Sequence, residues 1–179
     1  MKHWRVFGLG LACFALGVLV QSGFAQGGKS GFDPGVYQGK DPKAAATAML
    51  DRALTLAENG SWERIAVGRA WYLGGDKAKG QQIIDGVTGG KKVAASDWFR
   101  VGRLYEEANE WDKAKDAFDH GLAMNKDDDS GMLEYGAFAN VNKDREKAEA
   151  LFGRALGKSP KQFWHWVGAG GSYLGVRPQ

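Results

Sequence analysis

His120 and His165 are the only histidines after His3 in this 179-residue chain. Neither has a second histidine at zinc-ligand spacing, and no serine or carboxylate stands beside them in a hydrolytic arrangement. The single cysteine, Cys13, sits in an apolar run near the start, so the remainder offers no thiolate, disulfide or cysteine-held zinc. Asn125 to Gly131 (NKDDDSG) open like a calcium loop. That motif wants glycine one position earlier and glutamate at the twelfth, where Gly136 stands, so the segment reads as a solvated loop with Asp129 as N-cap. Glu106, Glu107 and Glu110 cluster near a helix end, but a catalytic pair needs opposing environments to split its acidities, and an exposed helix face offers none. No catalytic set, metal site or cofactor is expected.

Charge narrows the class further. The chain has 24 Lys plus Arg against 21 Asp plus Glu. Lys2, His3 and Arg5 precede an uncharged stretch from Val6 to Val20, and Gly23-Phe24-Ala25 puts small residues at the cleavage positions. This is the pattern of a secretory signal peptide over residues 1–25. About 15 apolar residues fall short of the roughly 20 that a spanning helix needs, the alternative being an uncleaved anchor. A lipid-attachment cysteine would follow the run, whereas Cys13 splits it. Loss of Lys2 and Arg5 leaves 22 basic against 21 acidic residues, or +1, too little for a nucleic-acid partner. The expected location is therefore periplasmic, or alternatively secreted or anchored. Residues 26–41 are glycine-rich and read as a flexible leader ending at Asp41-Pro42, an N-cap followed by a first-turn proline.

The elements that position everything else emerge from self-comparison. Gly68, Gly102, Gly136 and Gly170 stand 34 residues apart. With glycine at 27 of 179 positions, three such repeats arise by chance roughly a few times in a thousand. Other columns keep the same period: Trp71, Tyr105, Ala139 and Tyr173; Val67, Val101, Tyr135 and Ala169; Gly80, Ala114 and Ala148. Leu50, Ile84, Phe118 and Phe152 follow, then Ala53, Val87, Gly121 and Ala155. Each unit thus carries two apolar stripes at helical spacing, separated by a turn such as Gly74-Gly75-Asp76 or Asn142-Lys143-Asp144. The spacing predicts helices over 42–59, 61–88 (a pair), 95–124 (a pair), 129–157 (a pair) and 161–174.

Trp98, Val101, Gly102, Tyr105, Ala114, Phe118 and Gly121 resemble the tetratricopeptide repeat signature at its own spacing. Gly136, Ala148, Phe152, Ala155 and Pro160 continue it, and Trp166, Ala169, Gly170 and Tyr173 begin a further unit. Arg64 and Met132 depart from the first aromatic, Ala139 from the second, and Gly80 stands where alanine is usual. Sel1-like relatives, with a longer and more variable period, fit less well. The resemblance implies an all-α fold, an α-solenoid of antiparallel helix pairs with about three and a half repeats. The domain spans 42–179, with repeats at 61–94, 95–128 and 129–162 and partial repeats at 42–60 and 163–179.

Protein or peptide binding is the function that the resemblance implies, in a concave groove lined by the first helices. By position its candidates are Trp62, Ile65, Arg69 and Tyr72, then Phe99, Arg103 and Glu106, then Leu133, Ala137 and Asn140, and finally Trp164 and Val167. Arg69 and Arg103 lie one period apart, and an extended segment with apolar side chains and a carboxylate would suit them. Alternatively the arginines only solubilise the surface and Trp62 packs between repeats. The carboxylate-clamp subclass needs lysine and asparagine where Ile65 and Arg69 stand, which excludes a cytosolic co-chaperone. A glycan or cell-wall-fragment module, stacking sugars on Trp62, Phe99 and Trp164, is the second reading. The last helix carries Trp164, Trp166, Val167, Tyr173 and Leu174 with no following partner. Residues 163–174 are either a docking or homodimer surface, or Trp166 and Tyr173 pack back on the 144–157 helix.

Overall fold

A computed structural model describes residues 33–178. The expected signal peptide and the first part of the leader lie outside the described residues. After a 3-10 turn at Pro34–Val36 come eight helices: α1 (Pro42–Ala57), α2 (Ser61–Leu73), α3 (Lys77–Thr88) and α4 (Ala95–Glu107), then α5 (Trp111–Met124), α6 (Asp129–Val141), α7 (Arg145–Lys158) and α8 (Phe163–Tyr173). There is no strand among the described residues. The pairs α2/α3, α4/α5 and α6/α7 pack as hairpins, and the first helices stack in order, α2 on α4, α4 on α6 and α6 on α8.

Local chemistry sets the boundaries. The Asp41 carboxylate accepts from the Ala44 N–H, with Pro42 at the first helical position. Asp76 and Asp144 cap α3 and α7 in the same way, accepting from Lys79 and Lys147 N–H. At α6 the cap is Asp128, which accepts from Gly131 N–H at 2.8 Å. The expected cap, Asp129, lies one residue inside the helix and accepts from the Ser159 hydroxyl instead. The hairpin turns repeat too. Gly75, Asn109 and Lys143, again one period apart, all take positive φ (102°, 58° and 69°). In each, the next N–H reaches back to a carbonyl five residues earlier: Asp76 to Trp71 at 3.0 Å, Glu110 to Tyr105 at 2.8 Å, and Asp144 to Ala139 at 2.8 Å. This is the Schellman closure of a helix C-terminus.

Interior glycines permit close approach of the paired helices. A Cβ on Gly102 would sit 2.6 Å from Phe118 Cε1, and one on Gly136 would sit 2.8 Å from Phe152 Cε1. The two positions therefore have like surroundings. At Gly80 the neighbour is backbone: a Cβ there would meet Tyr72 N at 2.6 Å and Gly68 O at 2.7 Å. In α2/α3 the main chains are too close for the alanine found at Ala114 and Ala148. Phe118, fully buried, stacks on Tyr135 (centroids 5.0 Å) and Phe138 (5.6 Å) at the centre of the main core. A smaller core of Val67, Trp71 and Ile83 receives Leu50, Ala53 and Leu54 of α1.

No helix follows α8 among the described residues, and its columns change character accordingly. Val167 continues the buried column of Ile65, Phe99 and Leu133 but is 46% exposed. Tyr173 does pack back on α7, its ring 6.2 Å from Phe152 and its hydroxyl 3.3 Å from Glu149 Oε1. Trp166 does not. It stays exposed, with Nε1 donating to the Pro160 carbonyl at 2.9 Å. No helix among the described residues is long and apolar enough to cross a membrane.

Candidate functional site

The face that the first helices leave open is a stripe spaced by four, three and four residues. It runs through Trp62, Ala66, Arg69 and Leu73 of α2, then Ser96, Arg100, Arg103 and Glu107 of α4. All of these are exposed or half-buried. Cross-repeat contacts knit the stripe together. The Arg100 guanidinium lies 3.3 Å above the centre of the Trp62 ring. Arg69 Nε donates to Glu107 Oε2 at 2.6 Å, and Arg103 makes a two-pronged pair with Glu134 of α6. The Glu134 hydrogen bond holds the Arg103 guanidinium more firmly protonated than usual.

Sequence-derived candidates divide between this stripe and the core. Trp62, Arg69, Arg103 and Trp164 are on the open face. Ile65, Tyr72, Phe99, Leu133, Ala137 and Glu106 are buried. Phe99 is covered by Gly121 and Gly131. Asn140 is half-buried and donates from Nδ2 to Ser172 Oγ at 3.0 Å. Arg69 and Arg103 each already carry a carboxylate from the next repeat. Arg100, Glu107 and Glu134 are stripe residues that the sequence reading missed. The column Ala66, Arg100, Glu134 and Gly168 holds the same period and would have found two of them.

Two features complete the face. Glu110, at the α4/α5 turn, gathers three donors: Tyr72 hydroxyl at 2.7 Å, Lys77 Nζ at 2.6 Å and Lys113 Nζ at 2.6 Å. Hydrogen bonds from Lys113 and then Lys77 hold its carboxyl well below the ordinary range, at about 2. This cluster ties one repeat to the next. At the other end, α6, α8 and residues 176–178 enclose a hollow of about 480 Å³, lined by Leu133, Ala137, Trp164, Val167 and Val176 among others. Its walls are largely apolar, with Glu134 and Arg177 at the margin. Among the described residues no three His, Cys, Asp or Glu side chains gather as a metal-binding group.

Neither a family model nor a curated protein matches the chain. Solved structures do. Two crystal structures of MamA superpose with TM-scores of 0.52 and 0.51, each at 16% identity over 74% of this chain and over 77% and 72% of theirs. At that identity the likeness concerns the fold alone, and it agrees with the helix pairing seen here. The described residues have an all-helical, tetratricopeptide-like solenoid fold.

Proposed function

We propose that this chain is a non-catalytic tetratricopeptide scaffold of the cell envelope, exported by its N-terminal segment, which holds part of another protein on the first-helix stripe. The observation that carries this reading is the stripe's continuity. Charged pairs span successive repeats and lead into a hollow with apolar walls, a combination suited to an extended segment with alternating polar and apolar side chains. Those pairs also fix the surface in advance, which lowers the ordering cost of binding. The glycan reading is less well supported, because Phe99 is buried and breaks the row of stacking faces that it needs.

Photo-crosslinking tests the proposal. A crosslinkable residue at Ala66 or Ser96, both on the stripe, should capture a discrete envelope protein. The same residue at Gln82, exposed on α3, should not. Identical adducts from both faces, or only wall fragments from the stripe, would refute it.

A further inference from the structure

Glu106 belongs to the column of Tyr72 and Asn140, whose polar tips are each met by the following repeat. Tyr72 donates to Glu110 at 2.7 Å and Asn140 to Ser172 at 3.0 Å. Glu106 is served less well. It is only 2% exposed, its following repeat supplies one long contact (Asn142 Nδ2 to Oε1, 3.4 Å), and its buried Oε2 has no partner. A carboxylate so sheltered from water needs a cation.

The cation comes from an unexpected direction. α8 stops two residues short of the length its column predicts, and Gly175 (φ 75°) turns the chain inward. Val176 N–H bonds the Gly171 carbonyl at 2.9 Å. Arg177 then reaches past α6 to α4, with Nε 3.2 Å from Glu106 Oε1 and Nη2 3.4 Å from Asn109 Oδ1. Half of the Arg177 side chain remains exposed, and its fork engages only one carboxylate oxygen. Arg69 and Arg103, by contrast, are paired with Glu107 and Glu134. A partner carboxylate meeting Arg69 or Arg103 would have to break one of those pairs, whereas a partner guanidinium at Glu106 need only displace the tail.

We propose that the stripe takes its partner through an arginine, whose guanidinium replaces Arg177 on Glu106 while a neighbouring apolar side chain takes the place of Val176 against α6 and α8. Residues 175–178 are then a built-in occupant. They compete as a tethered segment at an effective concentration in the mM range. The inference rests on the scaffold reading and reverses the charge expected of the ligand.

A phage-displayed library of random hexapeptides, panned on the full chain carrying Arg177→Ala, provides the test. A parallel chain carrying Arg177→Ala and Glu106→Gln serves as control, and circular dichroism checks that both keep their helices. Glu106→Gln removes the buried charge that Arg177→Ala leaves without a cation, so the control should fold at least as well. Recovered peptides should share an arginine, lose about tenfold or more in affinity on the control chain, and bind the parent chain more weakly than the Arg177→Ala chain. Peptides that bind the control equally well, or that lack a basic residue, would overturn the assignment of Glu106 and leave the scaffold reading standing. Recovery of no peptide at all would count against both.

Discussion

Replacing Gly102 and Gly170 in turn by alanine should move stability in opposite directions, although the two occupy the same repeat column. An added Cβ at Gly102 would lie 2.6, 2.7 and 2.8 Å from three atoms of the Phe118 ring. Ordinary carbon contacts are about 3.5–4.0 Å, so the ring would have to retreat by about 1 Å. It has nowhere to go, being fully buried against Tyr135 and Phe138. Overpacking of this kind costs about 1–3 kcal/mol, and the crowding here belongs at the upper end. The gain in helix propensity from glycine to alanine returns about 1 kcal/mol. Gly102→Ala should therefore destabilise by about 2 kcal/mol. Nothing lies within 4 Å of a Cβ at Gly170, so Gly170→Ala keeps only the propensity gain, about 1 kcal/mol of stabilisation. The two variants should then differ by about 3 kcal/mol, or roughly 9 °C in melting temperature for a domain of this size. Urea and thermal unfolding followed by circular dichroism would measure it. Equal shifts of the same sign would refute the close-approach account of the glycine columns.

Gly80→Ala should cost about 2 kcal/mol or more, because its Cβ would strike the α2 main chain and not a movable side chain; a melting temperature equal to that of the parent would contradict this. Lys143 sits at φ 69°, so Lys143→Gly should stabilise by about 1 kcal/mol in urea unfolding, and any loss would show that the lysine side chain contributes more than its strain removes. Glu110 titrates at about 2 in the folded chain against an ordinary 4.5. A depressed folded-state value contributes stability above the unfolded value that is lost as pH falls. Glu110→Gln should thus be less stable than the parent at neutral pH, with the gap closing between pH 4.5 and about 2. A gap independent of pH would show that the Lys77 and Lys113 pairs contribute nothing.

The helical hairpins were legible because the 34-residue columns record contacts inside each repeat unit: glycine against the Phe118 or Phe152 ring, and a turn residue in the left-handed region. The starts of α1, α3 and α7 follow from aspartate caps, whereas at α6 the cap shifts by one residue because Asp128 and Asp129 are adjacent acids and either could serve. Contacts between repeats were less legible. Arg69 meets Glu107 across 38 residues and Arg103 meets Glu134 across 31, so no constant offset announces the pairs. Ile65, Phe99 and Leu133 looked like groove residues because they lie beside the open stripe on the same helices, yet each is buried. The inward turn after Gly175 belongs to no repeat column, and nothing in the periodicity foretells it.

Each repeat in this stack hands its unmet polar groups forward: Tyr72 to Glu110, Arg69 to Glu107, Arg103 to Glu134, Asn140 to Ser172. Pairs as exposed as Arg69 with Glu107 contribute little stability, at most about 1 kcal/mol. Their consequence is to neutralise Arg69 and Arg103 in advance, so that neither is free to recruit an acid. A chain that settles its charges this way offers a ligand only what the forward transfer fails to satisfy. Two such remainders meet at the tail that follows α8. One is apolar: Val167 and Trp164 have no next helix to cover them among the described residues. The other is Glu106, whose following repeat gives it a single distant amide. The tail at Val176 and Arg177 answers both at once, one residue lining the hollow and the other reaching the carboxylate. Its chemistry, an apolar residue beside an arginine, is therefore the best available description of what else would fit there.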